Sequence, residues 1–430
     1  MKISPDFRSF RRRSWVLLLA LAGLATTACD DDIEPPYTLT GDGGFTVIGA
    51  PPSGLQTKYA PGEVVGLRVG FNAADKVREF TVFQVIGRTD SAVVTTLAPS
   101  NVFFEPAAGL SIQVIPYQVP ANLANQTAVR VDVTTTFENG ATRRQRFSYN
   151  VAATPTLRFG TTASPTTITT FRNNLAGSAQ SENDIIGFNL VLNEGGIGTL
   201  PTAPSTARLF KSVDSLTTFY RIGNGAPVRT GVIRNPSNGA ANARTVDVVV
   251  PRGSEGQAVT FLFTAYSGPY FATAGAAPVN VVPPTALSRV RTGRVTAGPS
   301  APQDSVAFDL RLGTNVPNSA PAATKDLFAS GVLGTTVSLS SANTTVYYRI
   351  PVATAAAGYY TTASANAVGI LLFQNSASLV GTAAVPGNVA AGDLFAVRVR
   401  GAEPMLLRIT GVKPSTAGST ARVAFEYRAF

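Results

Sequence analysis

The side chains that could carry out chemistry in this chain are one cysteine, a few carboxylates and several tyrosines. Cys29 is the only cysteine among 430 residues, and the chain contains no histidine. These counts exclude Ser-His-Asp and Cys-His catalysis, histidine-based zinc sites and disulfide bonds within the chain. The sequence therefore predicts no catalytic residue, no metal site and no cofactor.

Two pairs of carboxylates are spaced closely enough to be considered as a general acid and a general base. They are Glu182 with Asp184 and Asp304 with Asp309, and paired carboxylates of this kind cleave glycosides. Asp184 and Asp304, however, occupy equivalent positions in two similar segments, which favours a structural role such as capping a turn. We expect a protein that is not an enzyme, with a glycan-processing enzyme as the less favoured alternative.

Aromatic side chains near turns are the candidate ligand-binding residues. Tyr266 and Tyr270 flank a Gly-Pro turn, and Tyr359 and Tyr360 follow an Ala-rich loop. Exposed tyrosines offer apolar ring faces and hydroxyl groups, which suit stacking on sugars. The alternative is that these rings cap the core of a domain. The only tryptophan, Trp15, lies near the start of the chain, so a sugar-binding surface built on tryptophan is not expected.

Residues 1–28 have the three parts of a secretory signal peptide. A basic stretch is followed by an apolar run over residues 15–25 and then by small residues at 26–28. The apolar run is 11 residues long, whereas about 20 are needed to span a bilayer. The basic residues are Lys2, Arg8, Arg11, Arg12 and Arg13.

The six residues that end at the cysteine, Leu-Ala-Thr-Thr-Ala-Cys at 24–29, resemble the lipobox of bacterial lipoproteins. The resemblance implies that Cys29 is lipidated and anchors the protein to a membrane, because two or three acyl chains bind a bilayer stably. Thr26 departs from the pattern, since the family prefers leucine there. An ordinary secretory signal followed by a chance cysteine is the alternative.

Asp30, Asp31 and Asp32 follow the cysteine directly. This acidic run resembles the surface-export signal of Bacteroidota lipoproteins, and it implies an outer-membrane protein exposed at the cell surface. A solvated acidic tether is the alternative interpretation, and the leaflet stays open. Residues 29–44 are expected to form a flexible tether that ends in glycines.

The charge of the chain is mild once the leader is set aside. The whole chain has a formal charge of +10, and residues 29–430 contain 30 Lys and Arg against 24 Asp and Glu. The arginines are spread singly, without a basic cluster that contains aromatic residues. Nucleic acid is therefore not an expected partner; the expected partners are the membrane, through the lipid, and surface proteins or glycans.

The hydrophobic pattern after the tether predicts an all-β chain. In residues 45–153, seven short runs are strand-like, and in one of them Val65, Leu67, Val69 and Phe71 alternate with polar or small residues. This alternation places one face of a strand on a core. Strands at this spacing, without helices between them, resemble a bacterial immunoglobulin-like domain. We expect three tandem immunoglobulin-like β-sandwich domains, at residues 45–153, 154–283 and 284–430.

The second and third domains are predicted to be copies of one repeat. Asp-Ile-Ile-Gly-Phe-Asn-Leu-Val-Leu at 184–192 matches Asp-Ser-Val-Ala-Phe-Asp-Leu-Arg-Leu at 304–312, and two downstream pairs keep the order, 209–210 with 327–328 and 217–222 with 345–350. Tandem copies favour a stalk-like array.

These observations favour a non-catalytic surface lipoprotein with a structural, adhesive or protein-binding role. The alternative is a glycan-binding lipoprotein of a polysaccharide-uptake system.

Overall fold

The computed structural model describes most of the chain beyond the expected tether. Cys29, Asp30, Asp31 and Asp32 lie outside the described residues, so their roles stay predictions. The described residues are 44–49, 54–88, 91–164, 166, 168–175, 180–202, 205–298, 301, 303–333, 336–352, 358–381, 388–413 and 420–430.

The described chain forms two compact units. Unit 1 contains the described residues up to Thr57 together with Val64–Gln118 and Ala128–Tyr149. Unit 2 contains Lys58–Glu63, Val119–Thr127 and Asn150–Phe430. The three predicted domain boundaries stay predictions.

Two antiparallel sheets pack against each other in unit 1, with orders β1-β3-β7-β6 and β9-β8-β4-β5. Alternate residues of these strands are buried, and Phe71 of one sheet meets Phe80 of the other with ring centroids 5.9 Å apart. The strands are β1 (Thr46–Ile48), β3 (Val64–Phe71), β4 (Val77–Ile86), β5 (Ala92–Leu97), β6 (Phe103–Glu105), β7 (Leu110–Gln118), β8 (Ala128–Phe137) and β9 (Thr142–Val151), with β2 (Lys58–Tyr59) pairing in parallel with the last two residues of β9 in unit 2.

The first half of unit 2 is a sandwich built around phenylalanines. In one sheet β12 is flanked by β10 and β11 on one side and by β17 on the other; the second sheet has the order β16-β15-β18-β19, with β20 also paired to β18. Phe188 of β12 packs 5.4 Å from Phe261 of β18 between ring centroids. The strands are β10 (Leu157–Phe159), β11 (Thr169–Phe171), β12 (Ile185–Leu192), β13 (Gly196–Ile197), β14 (Arg208–Leu209), β15 (Val213–Ile222), β16 (Val228–Ser237), β17 (Asn242–Val249), β18 (Ala258–Ser267), β19 (Tyr270–Gly275) and β20 (Val279–Asn280).

The second half of unit 2 adds two further sheets and two helices. The sheet orders are β21-β29-β28-β27-β26 and β23-β22-β24-β25, and both contribute to one apolar core. The elements are β21 (Arg289–Ala297), β22 (Ala307–Asp309), β23 (Thr314–Val316), β24 (Leu327–Leu333), β25 (Thr336–Ser340), β26 (Val346–Arg349), α1 (Tyr359–Thr362), α2 (Ala365–Gln374), β27 (Leu394–Val399), β28 (Glu403–Lys413) and β29 (Ala421–Ala429), with single 3-10 turns at Ala322–Thr324 and Ser376–Ser378.

The predicted all-β class is confirmed, and the seven strands expected in residues 45–153 are all present. The finer assignment to tandem immunoglobulin-like domains stays a prediction. The sequence pattern did not predict β2, β6 or the helices. α2 forms because an unbroken run of mostly apolar residues follows Ser364, whose hydroxyl accepts a hydrogen bond from the Ala367 amide at 3.1 Å and caps the helix.

The matched repeat segments all contain strands, but their surroundings differ. β12 is buried along its whole length, whereas the matching β22 has only three residues. β15 is paired on both sides, by β16 and β18, whereas β26 pairs only with β27 among the strands. The repeat origin of these segments stays a prediction.

Candidate binding face

Tyr266 and Tyr270 lie on opposite faces of one sheet. The hairpin turn at Gly268 and Pro269 pairs Ser267 with Tyr270, and Tyr266 with the next residue, Phe271. Because neighbouring residues of a strand point to opposite faces, Tyr266 shares its face with Phe271 and not with Tyr270. The structure therefore separates this pair of predicted aromatics.

Tyr270 packs on a buried ion pair. The Lys211 Nζ lies 2.5 and 2.7 Å from the two carboxylate oxygens of Glu63, and Lys211 is only 1% exposed. The same ammonium lies 5.4 Å from the ring centroid of Tyr270 and 5.7 Å from that of Tyr59. Burial, and then the charge of Glu63, raise the pKa of Tyr270. This tyrosine shields a charge pair.

Tyr359 and Tyr360 begin α1 and close part of the core of unit 2. Tyr360 is 8% exposed, and the Arg408 guanidinium lies 4.4 Å from its ring centroid. Burial and the nearby Glu426 carboxylate raise the pKa of Tyr360 to about 12. Tyr359 is half-buried and packs against the same apolar cluster. Tyr360 has no accessible ring face for a sugar.

Asp184 is the centre of a buried polar network in unit 2. Its Oδ2 accepts hydrogen bonds from Asn173 Nδ2 at 2.9 Å, from the Ser181 amide at 2.8 Å and from Asn366 Nδ2 at 2.7 Å. Asn366 belongs to α2, and its Oδ1 accepts a further bond from the Thr285 amide at 2.9 Å. Burial raises the pKa of Asp184. The carboxylate joins α2 to the turn before β12.

The other three candidate acids do not come together as a catalytic pair. Glu182 Oε1 accepts the amides of Ser254 and Glu255 at 2.8 and 3.0 Å. Asp309 is buried, and its Oδ2 receives a hydrogen bond from Arg400 Nη2 at 2.8 Å. Asp304 is exposed and lies before β22. Neither sequence pair forms an open site with two facing carboxylates.

Two cavities of unit 2 also lack paired titratable groups. One, of about 260 Å³, is lined mainly by apolar residues that include Phe171, Phe188 and Pro278. The other, of about 290 Å³, contains Lys325 as its one charged side chain. Within the described ranges, no three His, Cys, Asp or Glu side chains gather as a metal ion requires.

The outer face of the β16-β15-β18-β19 sheet presents aromatic, hydroxyl and arginine side chains, and we call it the binding face. Its rows of cross-strand neighbours are defined by the register of the four strands. They are Arg234-Ser215-Tyr266-Phe271, Val232-Thr217-Thr264-Thr273, Arg229-Phe219-Leu262-Gly275 and Arg221-Thr260.

The first row of the binding face presents two exposed rings side by side. Phe271 is 64% exposed and Tyr266 is 37% exposed, and their centroids lie 6.2 Å apart. Arg234 is exposed in the same row. The rows of the face contain three arginines and no carboxylate. Beside the first row, the exposed Asp214 accepts a hydrogen bond from the Gly268 amide at 2.6 Å.

Of the predicted aromatics, only Tyr266 lies on this face, and the sequence analysis missed Phe271 and the arginines. A signal for Phe271 was present, because a two-residue turn at Gly268 and Pro269 makes Tyr266 and Phe271 cross-strand neighbours. No local signal placed Arg229 and Arg234 beside them, since the pairing of β16 with β15 contains a bulge.

Comparisons with known proteins add little to this geometry. No protein-family model matches the chain, and no curated protein matches it. Among solved structures, the chain is similar to a superoxide reductase (neelaredoxin) from Ignicoccus hospitalis, with 14% identity and a TM-score of 0.18 over 27% of this chain and 86% of that chain. A likeness at this TM-score carries no argument about function.

None of the helices in the described residues is both long and apolar enough to cross a membrane.

Proposed function

We propose that this chain is a non-catalytic lipoprotein of the outer membrane, displayed at the cell surface, with a structural, adhesive or protein-binding role. The non-catalytic part of the proposal rests on the burial of Asp184, which is 1% exposed and accepts three hydrogen bonds. A carboxylate in that position holds elements together and has no open space for a substrate. The lipobox-like segment before Cys29 supports the anchor.

A structural role also agrees with the way α2 is held within unit 2. Besides the Asp184 network, Arg172 lies 4.8 Å from the ring centroid of Phe373 in α2. At the surface nearby in sequence, Asn174 Nδ2 donates to the carbonyls of Gly401 and Ala402 at 3.1 Å each. The buried bonds around Asp184 leave their groups unsatisfied if the elements separate. They favour an arrangement that stays fixed while the protein holds or spaces a partner.

Glycan binding is a second candidate function, and the exposed ring pair of Tyr266 and Phe271 favours it. Aromatic side chains with open faces stack on apolar faces of ligands, and nearby hydroxyl groups supply hydrogen bonds. An adhesive function and a glycan-binding function would both use the binding face. They differ only in the partner.

The lipid anchor is tested by fatty-acid labelling of cells that express the parent chain or Cys29→Ser. We expect labelled parent protein in the membrane fraction and no label on Cys29→Ser, because the thiol is the acceptor of the lipid. Thr38→Ser, in the expected tether, is the matched control and should be labelled like the parent. An unlabelled parent would contradict the anchor.

Protease treatment of the same intact cells separates the two leaflets. A surface protein is degraded, whereas a protein that faces the periplasm is protected until the cells are opened. Protection of the labelled parent would keep the anchor and contradict surface display.

A further inference from the structure

The positive charge within the rows of the binding face comes from three arginines that no carboxylate of those rows pairs with. Arg229 and Arg234 are exposed, and Arg221 is half-exposed with its Nε buried. In the part of the chain that the structure describes, none of these three arginines forms an ion pair, and the buried Arg221 Nε donates no hydrogen bond. An anionic ligand would therefore meet donors that are not already occupied by carboxylates.

The face also offers apolar and hydroxyl surface between the charges. Phe271 and Tyr266 lie at one end, and the partly exposed Phe219 and Leu262 lie further along. In the row between them Thr273 is exposed, whereas Thr217 and Thr264 are buried. Strands are about 4.8 Å apart, so the four strands present a surface about 14 Å wide. A surface of this width suits an extended chain of rings that carry hydroxyl groups better than it suits a compact small molecule.

We propose that the binding face binds an acidic polysaccharide, a glycan chain that carries carboxylates on its sugar rings. The proposal rests on the binding role proposed above and deepens its glycan-binding candidate. Arginine forks take carboxylates in two-pronged hydrogen bonds, and the ring pair stacks on the apolar face of a sugar. The charge of the face thus selects acidic over neutral glycans.

The spacing of the charges favours this ligand over nucleic acid. Arg229 and Arg234 lie beside Phe219 and Ser215, which are four residues apart on β15, and this corresponds to about 13 Å along a strand. Each strand of a nucleic acid has a phosphate about every 3.4 Å along the duplex, and sparse arginines would leave most of these phosphates without a partner. A glycan with a carboxylate on only some of its rings matches the wider spacing.

The test is affinity electrophoresis of the mature chain, residues 29–430 with Cys29→Ser, in gels that contain one of three glycans. They are hyaluronan, with a carboxylate on every second ring, alginate, with one on every ring, and neutral dextran. We expect retardation by at least one acidic glycan, weaker at high salt because exposed charges are screened, and little retardation by dextran. Two double variants, Arg229→Gln with Arg234→Gln and Tyr266→Ala with Phe271→Ala, should each weaken binding about ten-fold or more.

The matched control is Arg294→Gln with Arg422→Gln, which removes the same charge from exposed arginines of the β21-β29 sheet. It should bind like the parent, and circular dichroism should show that every variant folds. Equal losses in the control would overturn the proposal, because general charge would then explain the retardation.

Three other results would also overturn it. One is the absence of retardation by either acidic glycan. Another is equal retardation by dextran that only the aromatic variant abolishes, which would keep glycan binding and remove the preference for acid. The third is tighter binding to a single-stranded DNA oligonucleotide through the same residues. None of these results affects the fatty-acid labelling, so failure of the anchor is recognised separately.

Discussion

At the scale of single residues, Asp184 shows what burial does to a carboxylate that the sequence marked as a candidate acid. Burial disfavours the charged form and raises the pKa above its ordinary value of 3.8, although three hydrogen bonds oppose the shift. Between the ordinary and the raised pKa, the folded protein keeps a proton that the unfolded chain releases. The stability contribution of Asp184 is therefore full below pH 3.8 and decreases as the pH rises through the folded pKa.

Asp184→Asn should therefore change how the free energy of unfolding depends on pH. The amide oxygen can accept the bonds that Oδ2 accepts now, and the buried charge is removed. We expect the free energy of unfolding of the variant, relative to the parent, to rise as the pH increases above 3.8, because only the parent then loses stability through this group. Urea unfolding at a series of pH values measures the difference.

Asp304→Asn is the matched control, because Asp304 has the equivalent position in the predicted repeat but is exposed. If Asp304→Asn changed the profile as Asp184→Asn does, the effect would not belong to the buried carboxylate. An Asp184→Asn profile parallel to that of the parent would contradict the assignment of the raised pKa.

At the scale of elements, the position of α2 depends on a close approach that only glycine allows. A Cβ at Gly369 would lie 2.1 Å from the carbonyl oxygen of Asn173, so the helix would have to move away from the loop it packs on. The sequence analysis missed this helix, since in a chain dominated by strand patterns a short apolar run does not by itself distinguish a buried strand from a buried helix.

We expect Gly369→Ala to destabilise the protein by about 1–3 kcal/mol, because overpacking outweighs the roughly 1 kcal/mol by which alanine is the better helix former. The midpoint of urea unfolding measures the change. Gly411→Ala is the control, because a Cβ there meets nothing within 4 Å. A Gly369→Ala protein as stable as the parent would show that α2 does not dock as closely as described.

For the whole molecule, the strands of both units determine the circular dichroism spectrum that we expect. We expect the mature chain with Cys29→Ser to give a β-type far-ultraviolet circular dichroism spectrum. The helical contribution should be small, because only α1 and α2 are α-helical among the described residues. A spectrum dominated by helix would contradict the fold of the described residues and, with it, the binding face.

The sequence by itself was enough for the all-β class, because period-two alternation is a local property: each strand shows in its own residues which face meets a core. The counts of cysteine and histidine were likewise enough to exclude catalytic sites that need a histidine. Seven strands of the first 110 residues after the tether could be placed in this way, whereas the short β2 and β6 could not, since two or three residues do not establish a period.

The candidate site needed the tertiary structure. Tyr360 is buried in an apolar cluster that includes Leu394 and Leu406. The buried Asp184 accepts a hydrogen bond from Asn366, 182 positions away. The binding face likewise exists because strand pairing brings arginines of β16 beside rings of β18 and β19. Burial and neighbourhood are set by contacts between distant parts of the chain, and local residue patterns do not contain them.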